Sequence, residues 1–298
     1  MLSVIIPFHN EKDNLPDLIV KLVDQLNKIR KEYEIILVDD GSTDGFTFGK
    51  SEFHKYPRIK YLGHRKRYGK GQALKTGVGA ASGEVIAFMD GDLQDDPKDL
   101  PKFLKKIAEG YDFVNGIRSE RHDDLLVKIY SGLAGKFLKK FLRSPFTDIN
   151  CGFKVFKKEV LDNFDFYGNN FRFFPLAVYL QGYKVTEVQV VNNPRLKGVT
   201  KFGKSKLLYG IFDTITAYFL YSFSERPLHF FGMIGSVAFF IGLVMALYLS
   251  YLRIFYHVQL YRRPILLFAI LLIIVGLQIL MTGIIAELIV FLHKKIRK

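Results

Sequence analysis

Apolar positions follow two different spacings in the first part of the chain. Residues 1–117 contain short apolar runs of strand length, separated by stretches in which apolar residues recur every three or four positions. Leu15, Leu18 and Leu22 show this second spacing and predict one buried face of a helix. Strands that alternate with helices are typical of a doubly wound, mostly parallel sheet. The pattern therefore predicts an α/β domain.

The expected elements of this domain continue to about residue 191. Strands are predicted at 2–7, 33–38, 59–62, 84–89, 112–116, 153–156 and 184–191. Helices are predicted at 15–29, 71–81, 99–109, 124–142 and 171–181, and the fourth of these is basic and amphipathic. Ligands of such sheets bind outside the carboxyl ends of the strands, so the loops after the strands are the first place to look for chemistry.

Two long apolar stretches follow near the end of the chain. Residues 228–252 contain no Asp, Glu, Lys or Arg, and residues 265–292 contain only Glu287. Each stretch exceeds the ~20 residues that span a bilayer, and a pair of buried core helices is the less favoured alternative. The short loop between them predicts a hairpin, and Glu287 is expected to reach the headgroups or the basic tail.

These boundaries divide the chain into three predicted parts. They are an α/β domain (1–205), an amphipathic helix in the membrane interface (206–227) and a transmembrane hairpin (228–298). The tail after residue 292 contains four Lys or Arg, and the loop between the apolar stretches contains three. This difference favours a cytoplasmic tail. The α/β domain and the C-terminus are therefore both expected on the cytoplasmic side of the plasma membrane.

Composition narrows the expected partners. The net charge of +14 favours an anionic partner, and the apolar stretches make a membrane surface the simplest one. We find no nucleic-acid-binding motif, so nucleic acid is not expected as a partner. The single cysteine, Cys151, excludes an internal disulfide and a Cys-rich metal site, and it is expected to be a small buried residue. The sequence leaves a homo-oligomer open.

The strongest chemical signal is an acidic loop directly after a predicted strand. Asp90 and Asp92 are one residue apart, so both carboxylates can reach one hard cation such as Mg²⁺ or Mn²⁺ that also bridges phosphates. A nucleotide-sugar needs such a cation, because its leaving group is a diphosphate. A solvated turn before the helix near Pro97 is the alternative interpretation. A second acidic loop, 39–44, follows a neighbouring strand and favours the nucleotide site.

Four runs of sequence resemble the family 2 glycosyltransferases of GT-A fold. They are SVIIPFHNE (3–11), VDDGSTD (38–44), GKGQA (69–73) and DGDLQDDP (90–97). Within that family the chain is similar to the polyprenyl-phosphate branch, which includes the dolichol-phosphate mannose and glucose synthases. The resemblance covers nearly the whole chain, and the Leu93-Gln94 extension and the C-terminal hairpin make it specific.

The resemblance implies functional residues on the donor side. The nucleotide-sugar would contact Pro7, Asn10, Glu11, Asp39, Lys70, Asp90, Arg195 and Lys201, with Asp39 reading the base. The cation would be bound by Asp90, Asp92 and Gln94, and Asp92 would also be catalytic. Gln94 suits this site as a neutral oxygen ligand, because a third carboxylate would overcharge a site that also holds a diphosphate.

The resemblance also implies a second group of functional residues, which would bind the acceptor. Arg118, Lys128 and Ser131 match positions that bind the lipid phosphate, and Arg118 and Asp148 match catalytic or acceptor-organising positions. Lys128 stands where the family often has Arg, and a membrane-facing basic helix is the alternative for it. The alternative interpretation of Asp148 is that it only forms a turn. The loop 195–203 resembles the family's Arg-x-x-Gly-x-Ser-Lys-Tyr loop, but Asn192-Asn193-Pro194 stands where the family often has a His just before the Arg.

The function expected from the resemblance is transfer of a sugar, with inversion, from a UDP- or GDP-sugar to undecaprenyl or dolichyl phosphate. A transferase acting on another membrane acceptor is a rival, although a processive synthase would need a Gln-x-x-Arg-Trp motif and the chain has no Trp. A non-catalytic subunit of a lipid-carrier flippase is a rival from another class. It would leave the acidic loops unexplained, and two spans are few for a transport path.

Overall fold

The computed structural model describes most of the chain in two compact units. The described residues are 1–118, 144–162, 164, 166, 168, 170–194, 215–216, 218–221, 223, 226–259 and 264–296. The units are Met1–Ala217 and Tyr218–Lys298. The predicted interface helix at 206–227 and the predicted basic helix at 124–142 lie wholly or largely outside the described residues. The three-part division of the chain stays a prediction.

The first unit alternates strands and helices along the chain. Its strands are β1 (Leu2–Phe8), β2 (Tyr33–Asp39), β3 (Ile59–Gly63), β4 (Val85–Phe88), β5 (Phe113–Arg118), β6 (Lys154–Lys157) and β7 (Val185–Val190). Its described α-helices are α1 (Leu15–Ile29), α2 (Lys70–Ala80), α3 (Leu100–Ala108) and α4 (Phe174–Leu180). Each of these elements was predicted to within three residues at both ends. The early start predicted for α4 falls on a 3₁₀ turn, Asn170–Phe173.

Within the described residues the strands form one sheet in the order β3-β2-β1-β4-β6-β5-β7. Strand β1 pairs in parallel with β2 and β4, and β5 pairs in parallel with β7. Strand β6 is antiparallel to both of its neighbours. The predicted α/β architecture of GT-A type, with a mostly parallel sheet, is thus confirmed.

Both faces of the central strands are covered, which explains their continuous apolar sequences. Every residue of β1 and β2 is buried. Helix α1 covers one face with Leu18 and Leu22, and α2 covers the other, where a side chain at Gly77 would collide with Ile5. Packing on both sides fixes the carboxyl ends of β1, β2 and β4 at one edge of the sheet.

The second unit consists mainly of two long helices, α5 (Pro227–Tyr256) and α6 (Pro264–Ile296). Both are long and apolar enough to cross a membrane, and their large side chains are mostly exposed, as at Leu267. A Cβ on Gly276 would lie 2.6 Å from the backbone nitrogen of Phe239 and 2.7 Å from the carbonyl oxygen of Gly235. The two backbones therefore meet directly, as small residues permit in membrane helices.

Glu287 has a different partner from the one expected. Its Oε2 accepts a hydrogen bond of 3.1 Å from the backbone N–H of Leu228, the second residue of α5. The first N–H groups of a helix have no partner within that helix and carry partial positive charge. Glu287 thus caps the start of the neighbouring helix. The sequence pattern did not indicate this, because the contact depends on how the two helices pair.

Candidate active site

A pocket of about 160 Å³ lies at the carboxyl ends of β1, β2 and β4. Its lining residues are Pro7, Phe8, His9, Glu11, Asp40, Arg67, Lys70, Ala73, Asp90, Gly91 and Asp92. Five residues predicted from the sequence meet here, namely Pro7, Glu11, Lys70, Asp90 and Asp92. Their individual roles stay predictions, but the parallel strands bring together residues that are more than 80 positions apart in sequence.

Asn10 lies beside this pocket and joins the loop after β1 to the loop after β2. Its backbone is left-handed (φ 58°), a conformation that asparagine tolerates better than most residues. Its side-chain Oδ1 accepts a hydrogen bond of 2.7 Å from Thr43 N–H, and its own N–H donates to Ser42 Oγ at 3.0 Å. Asn10 therefore shapes the pocket rim, and its predicted contact with the nucleoside stays a prediction.

Asp39, the predicted base reader, is buried behind the pocket lining. Its carboxylate accepts hydrogen bonds from Ser42 N–H at 2.7 Å and from the hydroxyl of Tyr61 at 3.0 Å. Burial raises the pKa of Tyr61 to about 12, and the negative charge of Asp39 adds to this effect. The tyrosine therefore stays a donor to Asp39 at neutral pH. Base reading by Asp39 stays a prediction.

Asp40 lines the pocket and was not singled out from the sequence. Its carboxylate accepts hydrogen bonds from the backbone N–H groups of Tyr68 and Gly69, both at 2.8 Å, and contacts His64 Nδ1 at 2.9 Å. Burial alone would raise its pKa, but the contacts with His64 and the two N–H groups outweigh burial and lower the pKa. Asp40 thus stays ionised and fixes the segment that leads into Lys70.

Asp90 and Asp92 contribute to an acidic cluster that includes a third, buried carboxyl group. Asp95 is 4% exposed, and its Oδ2 accepts a hydrogen bond of 3.2 Å from the backbone N–H of Asp90. Burial raises the pKa of Asp95 to about 7, and the negative charges of Asp90 and Asp92 contribute to the rise. The neighbouring carboxylates therefore disfavour a further negative charge at Asp95, and a cation in the pocket would reduce this repulsion.

The carboxylates of the pocket fit a hard divalent cation that takes its remaining ligands from the phosphates of a substrate. Among the described residues, no group of three His, Cys, Asp or Glu side chains is arranged to hold a metal ion. Asp90 and Asp92 offer carboxylate oxygens to the pocket, and Mg²⁺ usually takes one or two protein carboxylates together with substrate phosphates. Gln94, the third predicted ligand, is in the same loop but does not line the pocket, so its role stays a prediction.

Arg118 and Asp148 form a bidentate ion pair, and neither residue lines the pocket. Arg118 Nε donates to Asp148 Oδ2 at 2.8 Å, and a terminal nitrogen of Arg118 donates to Oδ1 at 3.1 Å. Asp148 is 3% exposed, and it also accepts a hydrogen bond of 3.2 Å from Asn150 N–H. Asp148 therefore does stabilise a turn. Its predicted catalytic or acceptor-organising role stays a prediction.

The turn after Asp148 approaches the acidic cluster at Gly152. A Cβ on Gly152 would lie 2.7 Å from the carboxyl carbon of Asp90, so only glycine allows this approach. Cys151 in the same turn is buried, as expected, and burial raises the pKa of its thiol to about 12, which is unsuitable for a nucleophile. Buried Lys154 contacts the carbonyl oxygens of Ile149 and Cys151 and holds the turn.

Four predicted site residues are not among those that the structure describes. Lys128, Ser131, Arg195 and Lys201 lie outside the described residues. The sequence interpretation also missed the three remaining polar or charged side chains of the pocket lining, those of His9, Asp40 and Arg67. His9 and Asp40 were within the quoted motifs, and Arg67 is in a basic run that ends at Lys70. Their positions next to predicted residues were therefore the available signal.

Solved structures share this fold. Glucosyl-3-phosphoglycerate synthase from Mycobacterium tuberculosis, in complex with Mn²⁺, UDP-glucose and phosphoglyceric acid, aligns with a TM-score of 0.55 over 73% of this chain and 79% of that one, at 16% identity. Its complex with Mn²⁺, UDP and phosphoglyceric acid aligns with a TM-score of 0.58 over 74% and 78%, at 17% identity. At this level of identity the likeness concerns the fold alone.

Curated relatives match almost the full length of the chain. Dodecaprenyl-phosphate galacturonate synthase of Rhizobium johnstonii is 29% identical over 97% of this chain and 87% of that protein. Undecaprenyl-phosphate 4-deoxy-4-formamido-L-arabinose transferase of Pectobacterium atrosepticum is 29% identical over 99% and 90%. The sequence model described as "Glycosyl transferase family 2" matches residues 3–164, more than half of the chain. The protein with this acidic pocket therefore belongs to glycosyl transferase family 2.

Proposed function

We propose that the protein transfers a sugar, with inversion, from a nucleotide diphosphate sugar to a polyprenyl phosphate at a membrane surface. The observation that carries this proposal is the match to two polyprenyl-phosphate sugar transferases over 97% and 99% of the chain. A match of this extent includes both the acidic pocket and the two apolar helices. A soluble acceptor would leave those helices without a purpose.

The pocket supports binding of the donor. Asp90 and Asp92 would hold a Mg²⁺ or Mn²⁺ ion, with Gln94 as a third ligand, and that ion would supply positive charge to the leaving diphosphate. Arg67 and Lys70 line the same pocket and add positive charge for the phosphates. These residues would weaken the repulsion between two anionic substrates and stabilise charge on the leaving group.

The reaction needs little proton transfer. An oxygen of the lipid phosphate forms a bond to the anomeric carbon while the bond from that carbon to the diphosphate oxygen breaks. A phosphate monoester is already ionised at neutral pH, so it attacks without a strong general base. Positioning and charge stabilisation then carry the rate. In this proposal Arg118, oriented by Asp148, holds the acceptor phosphate, with Lys128 and Ser131 as further contacts.

The direct test uses the purified full chain with Mg²⁺ or Mn²⁺, a short polyprenyl phosphate and a panel of UDP- and GDP-sugars. We expect a lipid-phosphate-linked sugar from one donor, detected by mass spectrometry, and no product after the cation is chelated. Glycerol 3-phosphate serves as the control acceptor, because it offers a phosphate without the lipid. Transfer to the control but not to the lipid, or no transfer from any donor, would contradict the proposal.

We also propose that the first unit and the C-terminal tail both lie on the cytoplasmic side of the plasma membrane. The larger number of Lys and Arg in the tail than in the loop between the helices supports this orientation. The proposal places the pocket on the side where nucleotide-sugars are made.

Cysteine labelling tests this orientation. In intact cells a membrane-impermeant maleimide should label Gln259→Cys, in the loop, but not Lys298→Cys, in the tail. Permeabilised cells should show labelling at both positions. Native Cys151 gives little background because it is buried. Labelling of the tail variant in intact cells would reverse the proposed orientation.

A further inference from the structure

Lys70 contacts one of the two pocket carboxylates, Asp90 and Asp92, that would bind a divalent cation. Its Nζ contacts Asp90 Oδ1 directly, and the two side chains are 32% and 33% exposed. Asp90 is also the residue whose carboxylate would bind a divalent cation. The ammonium group and the cation would therefore compete for the same oxygen atoms.

The position of Lys70 on its helix is unusual for a cation. Lys70 is the first residue of α2, and the first turn of this helix has no acidic residue. The N-terminus of a helix carries partial positive charge, which disfavours a lysine and favours a phosphate. The ring of Phe171, 5.4 Å from Nζ, and the carboxylate of Asp90 offset this repulsion. An arriving diphosphate would interact favourably with both the helix end and Lys70.

The backbone before Lys70 is held firmly. Gly69 has a φ of 100° and donates its N–H to Asp40, and a side chain at Gly71 would collide with the carbonyl oxygen of Gly168. The helix start is therefore fixed, and the lysine can change partner by rotation of its side chain alone. Such a movement needs no rearrangement of the fold.

We propose that Lys70 is an internal counter-ion for Asp90 in the substrate-free protein, and that it moves to the donor diphosphate when the divalent cation takes its place. This inference rests on the proposed function, because it assumes a donor with a diphosphate. It makes binding of the cation and of the nucleotide mutually favourable. The cation releases Lys70 for the phosphates, and the phosphates withdraw Lys70 from Asp90.

Mn²⁺ binding without nucleotide provides the first measurement. Titration of the detergent-solubilised full chain, followed by electron paramagnetic resonance of free Mn²⁺, gives the affinity directly. Removal of the competing ammonium in Lys70→Gln should tighten Mn²⁺ binding about two- to fivefold, the range expected for an exposed ion pair. Lys70→Arg keeps the charge and should not tighten it. Lys66→Gln removes a charge from an exposed residue of the same segment and serves as the matched control.

Nucleotide binding provides the second measurement. With Mn²⁺ present, Lys70→Gln should weaken binding of UDP or GDP, whichever the wild type prefers, about tenfold, the effect of losing one charged hydrogen bond to a phosphate. The opposite signs of the two effects distinguish the inference from a general change in pocket charge. A purely structural lysine would weaken both ligands or neither.

Three results would overturn the inference. They are unchanged or weaker Mn²⁺ binding by Lys70→Gln, an equal gain in Lys66→Gln, and no Mn²⁺ binding by any form of the protein. Neither titration uses a lipid acceptor. A protein with the expected binding pattern but without lipid-linked product would keep the role of Lys70 and contradict the proposed acceptor instead.

Discussion

Replacement of Asp92 by asparagine is expected to lower turnover about 10³-fold, which corresponds to roughly 4 kcal/mol of transition-state stabilisation. Asp92 lines the pocket one residue after Gly91, on a loop whose backbone is held by the buried Asp95. Asparagine keeps the shape and removes the charge that would hold the cation. Binding of the lipid phosphate should be unaffected, because the loss concerns the donor side.

Asp96 offers a matched control within the same loop. Its Oδ1 accepts a hydrogen bond of 3.0 Å from Lys98 N–H and so caps a 3₁₀ turn, and Asp96 does not line the pocket. Asparagine caps a helix as well as aspartate does, so Asp96→Asn should keep near-normal turnover. Initial rates at saturating donor and acceptor provide the measurement. Equal activity of Asp92→Asn and wild type would remove Asp92 from the catalytic role proposed for it.

Replacement of either partner of the Arg118–Asp148 ion pair is expected to have the second large effect, a loss of thermal stability. Asp148 is almost fully buried, and Arg118 is 22% exposed. Removing one partner leaves a buried charge uncompensated, which costs about 3–5 kcal/mol. Arg118→Met and Asp148→Leu should therefore each lower the melting temperature of the first unit by about 6–20 °C, using the usual relation for domains of 150–250 residues. Thermal unfolding in detergent measures the effect.

The double variant separates stability from function. Arg118→Met combined with Asp148→Leu removes both charges, so it should recover most of the lost stability, because apolar replacement of a whole buried pair is often neutral. If Arg118 holds the acceptor phosphate, activity should stay low and the KM for the lipid phosphate should rise. Recovery of activity together with stability would show that the pair is only structural.

The location of the pocket followed from sequence because it depends on local patterns. A parallel sheet places the carboxyl ends of neighbouring strands at one edge, so the loops containing Asp40 and Asp90 had to meet once the strands were recognised. The apolar helices were equally predictable, because a bilayer requires about 20 apolar residues in succession and few soluble segments provide them.

The partners of individual side chains did not follow in the same way. The sequence pattern did not indicate that Arg118 on β5 pairs with Asp148. This contact arises because the antiparallel strand β6 lies between β4 and β5 and places the 148–152 turn beside those two strands. The capping of Leu228 by Glu287 likewise depends on the pairing of two helices that are 59 positions apart at this contact. Such contacts are set by packing between distant segments.

The order of strands and helices, the two apolar helices and the acidic loops at the strand ends could therefore all be predicted from the sequence. These features arise from spacing, length and residue type over short stretches. Packing between distant segments, in contrast, sets which carboxylates line the pocket and which are hydrogen-bonded behind it. Asp40 faces the pocket while its neighbour Asp39 is bonded to Tyr61, and Lys70 contacts Asp90. Those outcomes depend on distances between separate elements, which no local pattern encodes.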